Sequence, residues 1–245
     1  PDNTPATLDI GRGSPTGGKF GTKSHFPPDY KKALFILDWT YGRILAVHLI
    51  PRGSTYMGAA EVFLRGQPLN VTDLGFGPDG AVYMIDWVDQ QHCHSPHAER
   101  WDRSNGRIFR MAWSATFKPV QVDLQKLSDA ELIGLQTHKN DWFVRTARRL
   151  LQERAANGKL AAGTNARLHK LLGHREPRIV LRAMWALHAT GGGTPEDLLR
   201  QESDVVRSWA VSLLTEQPKS DAGQFVRLAQ DDSSAMVRLA LASAL

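Results

Sequence analysis

The seven residues Ala33–Trp39, ALFILDW, recur as Ala81–Trp87, AVYMIDW, at an offset of 48 residues. Each copy is a short apolar run with β-branched and aromatic residues that ends in Asp-Trp, which is typical of a β-strand. Each copy is also followed by Gly-Arg-Ile, at residues 42–44 and 106–108, where the offset has grown to 64. The sequence therefore predicts a repeated pair of strands, with 16 additional residues between the strands of the second pair.

A repeat of this length predicts β-propeller blades, which contain about four strands and recur every ~40–50 residues. The first thirty residues are rich in Gly, Pro, Ser and Thr and predict a long loop. We therefore expect residues 1–117 to hold about two blades of a larger propeller, with further blades upstream in a longer protein of which this chain is an internal piece. The predicted strands are Ala33–Asp38, Arg43–Ile50, Glu61–Arg65, Val71–Phe76, Ala81–Asp86 and Arg107–Met111.

Beyond residue 117 the apolar residues follow a helical period. Ser128 and Glu131 form a capping-box pattern, and Thr194-Pro195-Glu196-Asp197 predicts the start of another helix. Three sets follow the i, i+3, i+4, i+7 spacing of one helix face: Val180, Ala183, Met184 and Leu187; Val206, Trp209, Ala210 and Leu213; Val237, Ala240, Leu241 and Ala244. The recurrence predicts a HEAT-type solenoid over residues 118–245, and the alternative is an irregular helical bundle. The expected fold is thus multidomain, β then α.

The overall composition is that of an ordinary globular protein. Thirty basic and 25 acidic residues give a net charge of +5, and the basic residues are dispersed, so we expect a solvated surface and no nucleic-acid partner. No run approaches the ~18 apolar residues of a membrane span, so we expect none. A single cysteine, Cys93, excludes an internal disulfide.

The additional residues of the second strand pair form a candidate site loop, which comprises Asp86, Asp89, His92, Cys93, His94, His97 and Asp102. In an extended segment, side chains two residues apart point to the same side. His92, His94 and His97 could therefore bind zinc, copper or iron. In the alternatives, these histidines hydrogen-bond the loop backbone and pack against Trp87 and Trp101, or contribute to a substrate or cofactor pocket. Cys93 could be a reactive thiol or an inert buried one.

Two pairs of charged residues repeat with the strands. Asp38 and Asp86 both precede Trp, and Arg43 and Arg107 follow at the start of the next strand. A catalytic carboxylate would not be needed twice. We therefore expect both aspartates to cap the strand-to-strand turns and to pair with the arginines.

A family resemblance is carried by residues 33–44, 77–83, 86–87, 92–94 and 101–110. Together they resemble the PVC-type membrane-bound dehydrogenases, also described as haem-binding CxxCH-domain proteins. The propeller of that family is similar to that of the pyrroloquinoline-quinone (PQQ) sugar and sorbosone dehydrogenases. HEAT repeats commonly follow this propeller, and a c-type cytochrome domain follows them.

The resemblance implies a periplasmic, secreted or cell-surface oxidoreductase that oxidises a sugar-like alcohol or aldehyde and passes electrons to haem. PQQ and calcium would be cofactors of the whole protein. The haem would lie downstream, because one cysteine cannot form Cys-x-x-Cys-His here. Partners would be a carbohydrate or small-alcohol substrate and proteins bound along the helical repeats, and we expect this chain alone to be inactive. The alternative is a non-catalytic propeller and HEAT scaffold that binds a glycan or a protein.

Overall fold

The computed structural model describes residues 8–10, 15–21, 26–52, 55–66, 70–87, 104, 106–216 and 222–244. The chain divides into two compact units, residues 1–121 and residues 122–245. We refer to them as unit 1 and unit 2. The first contains β-strands and the second helices, so the expected β-then-α order is confirmed.

The described residues of unit 1 form two antiparallel sheets and one short helix, α1 (Pro28–Lys31). The first sheet has the order β1-β2-β3-β4 and the second the order β5-β6-β7, so within each sheet every strand pairs with the next strand in sequence. The buried side chains between the strands form one apolar cluster that includes Phe35, Leu37 and Val82. The strands are β1 (Pro15–Phe20), β2 (Leu34–Asp38), β3 (Arg43–Arg52), β4 (Thr55–Arg65), β5 (Val71–Phe76), β6 (Val82–Asp86) and β7 (Arg107–Met111).

The sequence repeat corresponds to the strand pairs β2–β3 and β6–β7. In each pair the aspartate at the end of the first strand lies opposite the arginine that begins the second, Asp38 opposite Arg43 and Asp86 opposite Arg107. Arg43 Nε donates to Asp38 Oδ2 at 2.7 Å, and Arg107 Nη1 lies 3.6 Å from Asp86 Oδ2. The predicted pairing is confirmed. Both carboxylates are buried, and their arginine partners offset part of the cost of removing a charge from water.

The predicted propeller blades are wrong, because the described strands form two open sheets of four and three strands. The sequence repeat reflects one kind of antiparallel strand pair, which occurs twice, as β2–β3 and as β6–β7. Such a pair needs only adjacent strands to satisfy its backbone groups, so the repeat does not determine how many strands join it or whether the sheets close. The predicted loop at the start of the chain also contains a strand, β1.

Unit 2 contains the remaining helices, packed around a second apolar cluster. The predicted capping box is confirmed: Ser128 N donates to Glu131 Oε2 at 2.8 Å, and Glu131 N donates to Ser128 Oγ at 3.3 Å. These bonds satisfy backbone donors that the first turn of a helix leaves free. The helices are α2 (Asp129–Gly134), α3 (Asp141–Ala156), α4 (Thr164–Leu171), α5 (Pro177–Ala189), α6 (Asp204–Thr215), α7 (Ala222–Asp231) and α8 (Ala235–Ser243), with 3-10 turns at Leu124–Lys126, Leu135–Thr137 and Glu196–Arg200.

The predicted HEAT-type solenoid is also wrong. The helices of unit 2 range from 6 residues in α2 to 16 in α3 and do not form a series of equal pairs. Where Thr194–Asp197 predicted a helix before α6, the chain forms only a 3-10 turn, Glu196–Arg200. An apolar stripe identifies the buried face of one helix, but it does not specify how successive helices pair.

Candidate functional site

Most of the predicted site loop lies outside the described residues: this holds for Asp89, His92, Cys93, His94, His97 and Asp102. Asp86 is the member that the structure describes. Its Oδ1 accepts a hydrogen bond from Asn70 N at 2.7 Å, while Arg107 lies near its Oδ2. Asp86 therefore holds together the ends of strands β6 and β7 and the residue before β5.

An open cleft on unit 1 provides a different candidate site. It has a volume of about 640 Å³ and lies where α1 meets the face of strands β3 and β4. A volume of a few hundred cubic ångströms is that of a small-molecule pocket. Its lining residues are Pro28, Asp29, Tyr30, Lys32, His48, Leu49 and Glu61.

His48 and Glu61 form a cross-strand pair in this cleft. The register of β3 and β4 places His48 opposite Ala59 and Glu61 opposite Ala46, so the two side chains are diagonal neighbours on one face of the sheet. His48 Nε2 lies 3.5 Å from Glu61 Oε1, and the two side chains are 39% and 52% exposed. Because both side chains are partly exposed, their polar groups are accessible to a ligand. An exposed pair of this kind contributes little to stability.

Tyr30, on helix α1, adds its hydroxyl to the polar groups of His48 and Glu61 in the cleft. Burial raises the pKa of the Tyr30 hydroxyl, and the charge of Glu61, a hydrogen bond to Glu61 and the charge of Asp29 raise it further. The hydroxyl therefore remains a proton donor at neutral pH. The Tyr30 ring is fixed by Phe63, edge to face at a centroid distance of 4.9 Å.

Close packing behind Tyr30 requires glycine at position 21. Gly21 N donates to Ala33 O at 2.9 Å. A Cβ on Gly21 would lie 2.2 Å from Tyr30 O and 2.7 Å from the Phe35 ring. The absence of a side chain at Gly21 therefore allows the end of β1 to lie against the segment that presents Tyr30.

The charges of the cleft do not suit the cofactors that the resemblance implies. PQQ is a polycarboxylate and requires cationic partners. Among the residues that the structure describes, the cleft instead offers two carboxylates, Asp29 and Glu61, and one lysine, Lys32. In the described part of the chain, no group of three or more His, Cys, Asp or Glu side chains could hold a metal ion such as calcium. The residues present therefore fit a neutral, hydroxyl-rich ligand better than an anionic cofactor.

Sequence reasoning missed this cleft because its residues come from separate elements. His48 lies within a predicted strand and Glu61 begins another, and neither stands in a recognisable motif. The signal that was present is alternation: residues two apart on neighbouring strands face the same side. Using it requires the pairing register of β3 and β4, which no local pattern specifies.

Comparison with protein-family models, with curated proteins and with solved structures finds no match to this chain. Within the described ranges, no helix is both long enough and apolar enough to cross a membrane.

Proposed function

We propose that this chain is the substrate-recognition part of an oxidoreductase that acts on a sugar or small alcohol in the periplasm, outside the cell or at its surface. The reaction class rests on the resemblance of residues 33–44, 77–83, 86–87, 92–94 and 101–110 to dehydrogenases. The observation that carries the recognition role is the uncharged Tyr30 hydroxyl beside the His48–Glu61 pair in one open cleft.

The cleft matches the hydrogen-bonding requirements of a polyol. Each substrate hydroxyl both donates and accepts a hydrogen bond. Glu61 accepts such bonds, Lys32 donates them, and the imidazole of His48 does either according to its tautomer. The Tyr30 hydroxyl, held protonated, donates to a ligand oxygen or to Glu61. A neutral ligand with neighbouring hydroxyls could therefore hydrogen-bond to several of these groups at once.

The redox chemistry is assigned to groups outside this chain. One cysteine cannot supply a covalent c-type haem motif, and the acidic cleft does not fit PQQ. PQQ, calcium and haem are therefore proposed as components of the whole protein. On this proposal, the isolated chain binds substrate without turnover.

The proposal is tested by titrating the 245-residue chain with a panel of monosaccharides, sorbose derivatives and small polyols, using isothermal calorimetry. We expect binding by at least one compound. His48→Ala and Glu61→Gln are each expected to weaken it at least 10-fold. The first removes a hydrogen-bonding ring, and the second replaces a charged acceptor oxygen with an amide NH2 group that only donates. The matched control is His169→Ala, because His169 is exposed on α4 in unit 2. Binding that is equally strong in all variants, or that is undetectable at millimolar ligand, would contradict the proposal.

A second assay separates an oxidoreductase from a non-catalytic glycan-binding scaffold. The whole protein is supplied with PQQ, calcium and an artificial electron acceptor, and oxidation of the bound sugar is followed through reduction of the dye. Turnover that falls in the His48→Ala variant is expected. Binding without turnover under these conditions would favour the scaffold.

A further inference from the structure

A row of three side chains crosses helices α3, α5 and α6 of unit 2. Trp185 and Trp209 lie edge to face with ring centroids 5.1 Å apart, and the guanidinium carbon of Arg148 lies 5.3 Å from the centroid of the Trp185 ring. We refer to Arg148, Trp185 and Trp209 as the Arg–Trp row. Trp209 is 42% exposed, which leaves a large apolar surface open to a partner.

The cationic end of the row has more positive than negative charge. Arg182 Nη2 donates to Asp141 Oδ1 at 3.1 Å, and Arg145 forms an ion pair with the other oxygen of the same carboxylate. Arg148 lies close enough to interact electrostatically with Asp141, Arg145 and Arg182. These four described side chains together carry three positive charges and one negative charge. In the part of the chain that the structure describes, Arg148 has no carboxylate or carbonyl hydrogen-bond partner of its own.

Arg148 is also half-buried. Burial lowers the pKa of its guanidinium; Asp141 opposes this shift, while Arg145 and Arg182 add to it. An arginine remains charged at neutral pH despite such a shift. A half-buried charge that no carboxylate hydrogen-bonds is unfavourable, so an incoming carboxylate would form both an ion pair and hydrogen bonds at this position.

We propose that the Arg–Trp row binds an acidic, proline-containing peptide segment of a partner protein. A glutamate or aspartate of the segment pairs with Arg148, and a proline beside it packs on Trp209. Two physical facts select this chemistry. Aromatic surfaces bind extended proline-rich segments, whose ordering entropy is low. The excess positive charge selects acidic segments and disfavours basic ones. Tryptophan and arginine are also the residues in which interface binding energy most often concentrates. This inference does not depend on the cleft of unit 1.

The probes are fluorescein-labelled heptapeptides, Glu-Pro-Leu-Glu-Pro-Leu-Glu and its counterpart with every Glu replaced by Gln. Their binding to the full 245-residue chain is measured by fluorescence anisotropy. We expect the Glu peptide to bind at least 10-fold more tightly than the Gln peptide, and its affinity to fall as salt is raised. Arg148→Gln and Trp209→Ala are each expected to weaken the Glu peptide at least 10-fold. Arg167→Gln is the matched control, because it removes the same charge from the exposed surface of α4.

Trp209→Phe guards against a folding failure of the alanine variant, since it keeps an aromatic surface and is expected to retain most of the binding. Circular dichroism of each variant confirms that the helices are intact. Equal binding of the Glu and Gln peptides, no binding of either, or unchanged binding in both Arg148→Gln and Trp209→Ala would overturn the proposal. It is also overturned if Arg148 is instead required for sedimentation with phosphatidylserine-containing vesicles while neither peptide binds.

Discussion

Replacing Arg207 with alanine is expected to destabilise unit 2 strongly. Arg207 joins α6 to the turn that precedes α8: its Nε and Nη2 donate to the two oxygens of Asp232 at 2.7 and 3.1 Å. Its Nη1 donates to Gln201 O and Glu202 O at 2.7 and 2.8 Å. The side chains of Arg207 and Asp232 are only 16% and 5% exposed. Arg207→Ala would therefore remove four hydrogen bonds and leave a buried carboxylate without its countercharge.

The magnitude follows from burial. Removing one partner of a buried ion pair costs about 3–5 kcal/mol. Arg145 provides the comparison, because it also pairs with an aspartate but its side chain is 70% exposed. An exposed helical pair of this kind contributes about 0.3–0.5 kcal/mol. Urea denaturation measures the free energy of unfolding of both variants. It is followed by far-ultraviolet circular dichroism, a signal dominated by the helices of unit 2. We expect Arg207→Ala to cost several times as much as Arg145→Ala.

The pH dependence provides an independent check. The hydrogen bond from Arg207 lowers the pKa of Asp232 below its ordinary value of 3.8, although burial opposes this shift. Because the pKa of Asp232 is lower in the folded than in the unfolded state, the ion pair contributes its full stabilisation at pH values above the unfolded-state pKa. This contribution is lost as the pH falls from about 4 through the folded-state pKa. Arg207→Ala should therefore reduce the loss of stability in this acidic range. If Arg207→Ala costs no more than Arg145→Ala, or leaves the acid profile unchanged, the reasoning is refuted.

Three further substitutions test other parts of the structure. Gly21→Ala should lower the thermal stability of unit 1, because its Cβ would lie 2.2 Å from the backbone oxygen of Tyr30; an unchanged melting temperature would exclude this close approach. Ser128→Ala should cost about 1 kcal/mol in urea denaturation through loss of the helix cap, and a cost below ~0.3 kcal/mol would contradict that role. Burial opposes ionisation of Asp129, but hydrogen bonds, the strongest from Arg154, lower its pKa overall. Asp129→Asn should therefore lower the free energy of unfolding in urea by about 3 kcal/mol at neutral pH, and by less as the pH falls below 3.8. A loss that does not depend on pH would contradict an ionised Asp129 paired with Arg154.

Several predictions succeeded because they depend on neighbours along the chain. The strands at 34–38 and 82–86, the capping box at Ser128 and the Asp–Arg pairs each involve residues that are close in sequence or joined by one turn. Local chemistry is sufficient in such cases. The apolar stripe of α6 was correct for Val206 and Leu213, which are buried, but its Trp209 is 42% exposed. The stripe identifies a face, and only the neighbouring helices decide how much of that face they cover.

The charged residues of unit 2 show where sequence reasoning stopped. For Arg145 the partner is Asp141, four residues earlier in the same helix. Arg207 instead pairs with Asp232, 25 residues further on, and Arg182 reaches back 41 residues to Asp141. These pairings depend on which helices pack together. The same is true of the cleft, whose Tyr30, His48 and Glu61 come from α1, β3 and β4.

By itself the sequence determined the order of the two units, the prevailing kind of secondary structure in each and the capping box at Ser128, because periodicity and capping act over a few residues. Tertiary structure alone decided that the sheets are open, that the helices are unequal, and that Tyr30, His48 and Glu61 share a cleft. The physical reason is that strand register and helix packing minimise the free energy of the whole unit. Residues distant in the chain meet only where that minimum brings their elements together.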